Sequence, residues 1–285
     1  MSTTAQAPSP KEMQLKSWTG VAPGWKKHDA YFTRSTAAAS EKMLDAAGVG
    51  PGMRVLDIAT GVGEPALAAA RRVGPAGFVL GTDFVEPMLA FAREKAAAAN
   101  LRNVELRCVD GEALDVPASS FDAVTIRWGI MFMPDALACL RSAHAALKPG
   151  GRIAVACWAG PERNPWASLP AGILMRLAGI PKPPPGAPGV FAYADPKRLE
   201  GALAEAGFKD VAVEAIDLPM IDFATFDEYW TWARELVGPV ASMLEKLTPE
   251  QTAAAAAELK AEVAKLSPGG RTVLGGTTWV ASGQK

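Results

Sequence analysis

The chain has 285 residues, of which 49% are hydrophobic and 21% are charged, so it is long enough to bury a substantial core. Its formal net charge of -1 leaves no excess of cations for neutralising phosphates, which argues against nucleic acid as a partner. The first ten residues carry no cationic stretch followed by an apolar run, and no apolar run is long enough to span a bilayer. The three cysteines lack the short spacings of metal ligands. We therefore expect a cytoplasmic protein with reduced thiols, no membrane span and no metal site.

Apolar runs of strand length alternate with helical patterns from residue 53 to residue 158, which is typical of βαβ units. The predicted strands span residues 54–59, 78–83, 104–109, 121–127 and 152–158, and the predicted helices span residues 65–73, 86–100 and 135–147. The breakers in the sequence KPGG, residues 148–151, are expected to end the last of these helices. A helix at 195–207 and strands at 211–218 and 272–281 complete the pattern. The predicted fold class is α/β, with a Rossmann-like seven-stranded, mostly parallel sheet, helices on both faces and helical cap insertions.

Two stretches lie outside this alternation. The first contains a helical pattern and the loop PKPPPGAPG, which is too rich in proline for a helix or a central strand. The second has Phe226, Tyr229 and Trp230 at helical spacing, followed by a second helix start at Thr248. The predicted organisation is an N-terminal helical segment (1–50), a ligand-binding core (51–158), an insert or lid (159–194), a continuation of the core (195–222), a helical cap insert (223–270) and a final core strand (271–285).

The segment VLDIATGVGEPA, residues 55–66, combines an apolar strand, a glycine-rich turn and the start of a helix. Gly61 and Gly63 let the backbone approach a ligand, next to unpaired N–H groups at the helix start. The pattern also fits the dinucleotide fingerprint, with Asp83 placed about 20 residues on to bind ribose hydroxyls. Asp57 favours another ligand, because its carboxylate would repel a pyrophosphate and attract the ammonium and sulfonium of S-adenosylmethionine. Alternatively, Asp57 accepts hydrogen bonds from amides of the turn.

A second polar cluster follows the third predicted strand, at the same edge of the sheet. Asp110 is placed there to accept a hydrogen bond from an adenine amino group, since ligands of open α/β sheets bind along the carboxyl ends of the strands. Alternatively, Asp110 caps the helical turn that begins at Gly111.

The chain resembles class I S-adenosylmethionine-dependent methyltransferases, in particular the small-molecule enzymes similar to those of ubiquinone and menaquinone biosynthesis. The resemblance covers residues 13–158 well, and it rests on VLDIATGVGEPALAAARRVGPAGFVLGTDFVEPMLAFAREKA, CVDGEALDVPASSFDAVTIRWGIMFMPD and LKPGGRIAVACW in that order. It implies that residues 1–50 cover the cofactor. The methionine part of the cofactor would be surrounded by Asp57, Ala59, Gly61 and Gly63, with the backbone of Arg127 at its amino-acid end. The ribose would be bound by Asp83, and the adenine by Phe84, Met88, Asp110, Gly111 and Glu112.

Methyl transfer from a sulfonium requires in-line positioning and exclusion of water, and a base only where the acceptor must lose a proton. His28 is the candidate base and Tyr31 a second candidate acid or base, because both lie in an aromatic N-terminal segment. The alternative for both residues is packing of that segment.

The acceptor is expected to be a small, largely apolar molecule, methylated on carbon, nitrogen or oxygen. The resemblance places its pocket between the N-terminal segment, the loop after the fourth strand and the two inserts. The candidate wall residues are Trp128, Met131, Trp166 and Trp230, and the alternative for each is packing against the body of the protein. A homodimer is one option for the assembly.

Two other functions remain open at this point. A nicotinamide-dependent oxidoreductase fits the glycine pattern, although Asp57 opposes it. A protein that uses S-adenosylmethionine structurally, or for a reaction other than methylation, would carry the same binding motifs.

Overall fold

A computed structural model describes residues 9–184 and 186–285, so residues 1–8 and 185 of the predicted segments lie outside the described residues. The strands are β1 (Arg54–Ile58), β2 (Phe78–Asp83), β3 (Val104–Cys108), β4 (Phe121–Arg127), β5 (Leu147–Trp158), β6 (Lys209–Phe223) and β7 (Thr272–Gln284). The helices are α1 (Pro10–Ser35), α2 (Ala37–Ala46), α3 (Ala66–Val73), α4 (Glu86–Ala98), α5 (Ala136–Ala146), α6 (Pro165–Leu177), α7 (Pro196–Glu205), α8 (Phe226–Leu236), α9 (Gly238–Leu244) and α10 (Pro249–Leu266).

All seven strands belong to one sheet, in the order β3-β2-β1-β4-β5-β7-β6. The first five strands pair in parallel, and β7 pairs antiparallel with both β5 and β6. The central strands β1 and β4 are buried along almost their whole length, as expected for a parallel sheet with helices on both faces. The predicted fold class is therefore confirmed.

The start of β5 differs from the prediction. It begins at Leu147 and not at Arg152, because the predicted breakers form an irregularity within the strand and do not separate it from the helix. Phe121 pairs with Leu147 and Ala123 with Arg152, so β5 carries extra residues that β4 lacks. Gly150, at a φ of 80°, provides the backbone conformation that this bulge requires.

The cap insert leaves and rejoins the sheet at one point. β6 and β7 form a long antiparallel pair that begins with Phe223 opposite Thr272 and continues to Lys209 opposite Gln284. Helices α8, α9 and α10 lie between these two strands in the chain. The predicted helix start at Thr248 is observed as a capping box with Gln251.

The long helix α1 packs against α8, α9 and α4, and so joins the cap insert to the core. Gly24 allows this contact, because a Cβ atom there would lie only 1.9 Å from the backbone oxygen of Glu235 in α8. Lys27 and His28 both contact the Glu235 carboxylate. Within the described residues, no helix is both long and apolar enough to cross a bilayer.

Candidate active site

A cavity lies at the carboxyl edge of the parallel strands, as the sequence predicted. Its floor is formed by the loops that follow β1, β2, β3 and β4. Its remaining walls come from α1, from residues 236–239, where α8 meets α9, and from Trp158, Trp166 and Val190. The core, the N-terminal helix and the cap insert therefore contribute to one cavity.

The glycine-rich turn after β1 adopts backbone conformations that are unfavourable for residues with a side chain. Ala59, Gly61 and Gly63 all have positive φ values, of 58°, 56° and 106°. A Cβ atom at Gly63 would lie 3.0 Å from a methyl carbon of Leu67 and 3.2 Å from the Cβ of Ala92, so this glycine lets α3 and α4 pack closely. Ala59 and Gly61 line the cavity, whereas Gly63 lies behind them.

Asp83, at the end of β2, holds this turn in place. Its Oδ2 atom accepts a hydrogen bond from the Gly61 amide at 2.8 Å, and its Oδ1 atom accepts one from the Val85 amide at 2.9 Å. Burial raises the pKa of Asp83 to about 6, although these two bonds stabilise the charged form. Asp83 lines the cavity, with Phe84 and Met88 beside it.

Asp57 lies wholly buried beneath the turn. Its Oδ1 atom accepts a hydrogen bond from the Thr125 hydroxyl at 2.6 Å, and its Oδ2 atom has no partner among the described residues. Burial raises the pKa of Asp57 to about 6. The turn amides of Gly61 and Gly63 donate elsewhere, to Asp83 and to a backbone oxygen, so the alternative role of Asp57 as their acceptor is not observed.

Asp110, Gly111 and Glu112 line the cavity after β3. Asp110 caps the short turn through the Glu112 amide at 2.9 Å, as its alternative role required. Lys11 of α1 contacts the same cluster, with its ammonium 2.5 Å from both Asp110 Oδ2 and Glu112 Oε2. Sequence reasoning missed Lys11, because no local pattern links it to residues almost a hundred positions away.

The other side of the cavity is aromatic. Trp128 stacks on Trp158 at 4.3 Å between ring centroids, and Phe32 meets the edge of Trp128 at 5.6 Å. The cavity is lined by three of the four candidate wall residues, Trp128, Met131 and Trp166. Trp230 does not line it; this side chain is buried on α8 beside Arg234.

Three aromatic residues of α1 that sequence reasoning missed also line the cavity. Trp18, Trp25 and Phe32 are spaced seven residues apart, which places them on one face of the helix. This seven-residue spacing is the sequence pattern that could have identified these three residues as one face of a helix.

Arg127, at the end of β4, contributes a buried cation. Its side chain lines the cavity and is only 8% exposed. Its Nη1 atom donates to the hydroxyls of Thr36, at 3.2 Å, and Ser40, at 2.9 Å. Burial lowers the pKa of Arg127, but a guanidinium stays protonated in proteins.

The two candidate catalytic residues do not line the cavity. His28 Nε2 lies 2.6 Å from the Glu235 carboxylate, in the contact between α1 and α8. The Tyr31 hydroxyl accepts a hydrogen bond from the Asp222 amide at 2.7 Å, and its ring stacks on Phe223. These contacts favour the packing alternative for both residues. No cluster of potential metal ligands occurs among the described residues.

The strand order and the cavity at the carboxyl edge define a class I methyltransferase fold. A model of the ubiE/COQ5 methyltransferase family matches residues 36–167. Nocamycin O-methyltransferase of Saccharothrix syringae is 30% identical over 256 residues, which cover 85% of this chain and 89% of that protein. The chain therefore belongs to the ubiE/COQ5-type family of S-adenosylmethionine-dependent methyltransferases. This confirms the predicted family and its cofactor, and it disfavours the nicotinamide alternative.

Two further comparisons, one of sequence and one of fold, show how far the similarity extends. Demethylmenaquinone methyltransferase of Listeria monocytogenes is 40% identical over 120 residues, 41% of this chain and only 50% of that protein. The chain thus matches about half the length of this curated relative. In overall fold the chain is similar to the crystal structure of the [4+2]-cyclase SpnF, with a TM-score of 0.62, 18% identity and 97% of each chain covered.

Proposed function

We propose that this chain transfers the methyl group of S-adenosylmethionine to a small, largely apolar acceptor. One observation carries the proposal: a single cavity joins the glycine turn and its acidic residues to a compartment walled by aromatic rings. When bound, S-adenosylmethionine supplies a methyl group already activated by the sulfonium. The chain then needs to orient the acceptor in line with that methyl group and to exclude water.

The residues of the turn fit this cofactor. The positive φ values favour glycine at positions 61 and 63, where no side chain then separates the backbone from a ligand. The unpartnered Asp57 oxygen keeps negative charge beneath the turn. Four carboxylates line the cavity, those of Glu64, Asp83, Asp110 and Glu112, against the two cations Lys11 and Arg127. This excess of negative charge favours a cationic ligand over an anionic pyrophosphate. We propose Asp83 for the ribose hydroxyls, and Phe84, Met88 and the cluster after β3 for the adenine.

The acceptor side is proposed to be formed by Trp128, Met131 and Trp166, together with Trp25 and Phe32 of α1. Flat aromatic rings favour an apolar molecule, because its binding removes apolar surface of both partners from water and buries few polar groups. All three cysteines are free thiols, which fits the reducing cytoplasm that we propose as the location. The homodimer stays a prediction.

Methyl-labelled S-adenosylmethionine tests the proposal directly. The purified chain is incubated with it and a panel of phenolic, quinoid and terpenoid acceptors, and mass spectrometry follows the label. We expect labelled product from at least one acceptor, with formation of S-adenosylhomocysteine in equal amount. Tight binding of S-adenosylhomocysteine without transfer to any acceptor would instead support a cofactor used for another purpose.

A further inference from the structure

Arg127 is a buried, charged residue of the cavity lining, and its side chain has no charged partner among the described residues. Its Nη1 atom donates to the neutral hydroxyls of Thr36 and Ser40, and the side chain forms no ion pair with any described residue. Its Nε and Nη2 atoms donate no hydrogen bond to the described residues. Burying a cation is unfavourable unless it is paired, so the site is incomplete without an anion.

The nearest acidic residues do not fill this role. The carboxylates of Glu64, Asp57 and Asp29 attract Arg127 only at longer range, and none of them is within ion-pair distance. Glu64 is bonded instead to Arg71 and to the Ala68 amide, both at 3.2 Å. The guanidinium therefore keeps free N–H donors beside the cavity.

The cation lies on the aromatic side. Its guanidinium carbon is 4.8 Å from the ring centroid of Trp128 and 5.9 Å from that of Phe32. Trp25 packs edge-on against Phe32, and its buried indole N–H has no acceptor among the described residues. Two residues with unsatisfied N–H donors, Arg127 and Trp25, thus lie among the apolar rings that we assigned to the acceptor.

This side of the cavity lacks a residue that would take a proton. Among the described residues, no histidine, tyrosine or cysteine lines the cavity. The four lining carboxylates are all engaged by other groups. Asp83 accepts hydrogen bonds from two backbone amides, and Glu64 is engaged by Arg71. Asp110 and Glu112 both contact Lys11. An acceptor that brings its own negative charge would need no base.

We propose that the acceptor is an apolar organic acid, and that Arg127 binds its oxyanion. This inference rests on the proposed function and narrows its substrate class. A delocalised anion, such as a carboxylate or an ionised enol, places one oxygen on the guanidinium and leaves a second nucleophilic atom free. That atom forms the new bond to the methyl carbon, the sulfur–carbon bond breaks, and its electron pair returns to sulfur. The anion and the sulfonium are both neutralised, and no proton is transferred.

A matched pair of probes tests the charge requirement. The protein is saturated with S-adenosylhomocysteine, and 2-naphthoate or its neutral analogue 2-naphthamide is titrated in by calorimetry. We expect the wild-type protein to bind the acid at least about tenfold more tightly than the amide, as a buried charge-assisted bond allows. Arg127→Met should remove this difference and Arg127→Lys should keep part of it, whereas the exposed control Arg102→Met should leave it unchanged.

A second experiment tests whether Arg127 binds the acceptor or the carboxylate of the cofactor. S-adenosylhomocysteine carries that carboxylate and methylthioadenosine does not. We expect Arg127→Met to change the affinity for both by less than about threefold. A tenfold loss confined to S-adenosylhomocysteine would assign Arg127 to the cofactor and overturn the inference.

The comparison of acid and amide binding by the wild-type protein tests the inference even if Arg127→Met does not fold. Equal binding of acid and amide, or no measurable binding of the acid, would also overturn the inference. Failure of the proposed function has a different signature, since wild-type protein would then not bind S-adenosylhomocysteine at all.

Discussion

Asp83 combines two tasks at the scale of a single residue. Its carboxylate fixes the glycine turn through the Gly61 and Val85 amides, and it also faces the cavity. A carboxylate already aligned by two backbone donors has little freedom to lose when it accepts further hydrogen bonds from a ribose. The cost of this arrangement is its burial, which raises the pKa of Asp83 to about 6.

Asp83→Asn should therefore weaken binding of S-adenosylhomocysteine by on the order of 1–3 kcal/mol, because a charge-assisted acceptor is lost. The ionised form is the one that accepts ribose hydroxyls, so wild-type affinity should fall as the pH is lowered through about 6. The fall should not exceed about tenfold per pH unit for this one group. Calorimetry across this pH range measures both effects, with the exposed Asp227→Asn as the control. An affinity that is unchanged in Asp83→Asn would contradict the role assigned to Asp83.

For Arg127, the sequence predicted the position in the fold but not the contacts of the side chain. The pattern placed it correctly at the end of β4, because strand boundaries follow from local hydrophobicity. It did not indicate that the side chain would lie unpaired against Trp128, since this depends on Phe32, Thr36 and Ser40, which are almost ninety or more positions away in the sequence. The same reason explains why Lys11 was missed.

At the scale of elements, the contact between α1 and α8 closes one side of the cavity. Gly24 is the point of closest approach, where a Cβ atom would meet the backbone oxygen of Glu235 at 1.9 Å. A backbone atom of a helix cannot move aside as a flexible side chain does. Any side chain at Gly24 must therefore push the two helices apart.

Gly24→Ala should destabilise the protein by on the order of 1–3 kcal/mol, the usual range for overpacking. Gly20 is the matched control, because it lies in the same helix and a Cβ atom there meets nothing within 4 Å. Gly20→Ala should stabilise the protein by about 0.5–1 kcal/mol through helix propensity alone. Denaturant unfolding gives both free energies. Similar effects of the two substitutions would show that the helices are not held at this distance.

The sequence predicted the elements better than it predicted their mutual contacts. Alternating apolar runs were sufficient to place the strands of the parallel core, because each strand is buried through its own residues. The start of β5 was misplaced, since a bulge accommodated Gly150 and its neighbours within the strand. The junction of α8 and α9 was not predicted as part of the site, because its position follows from the packing of α1 on both helices.

At the scale of the whole molecule, three parts of the chain enclose one ligand site. The core supplies the glycine turn, the acidic residues, Trp128 and Trp158, α1 supplies Lys11 and three further aromatic rings, and the cap insert supplies residues 236–239. A ligand that contacts all three should couple them, because its binding free energy is then shared by parts that otherwise open separately.

Hydrogen exchange of the protein with and without S-adenosylhomocysteine tests this coupling. At a ligand concentration of about 100 times Kd, protection of up to about 2.7 kcal/mol is available to any opening that releases the ligand. We expect slower exchange in residues 59–64 and in the first half of α1, where Lys11, Gln14 and Trp18 line the cavity. Helix α10 contributes no lining residue, so its local openings should be unaffected and it serves as the internal control. Protection confined to the loops after β1, β2 and β3 would contradict the coupling, since α1 would then open and close without regard to the bound ligand.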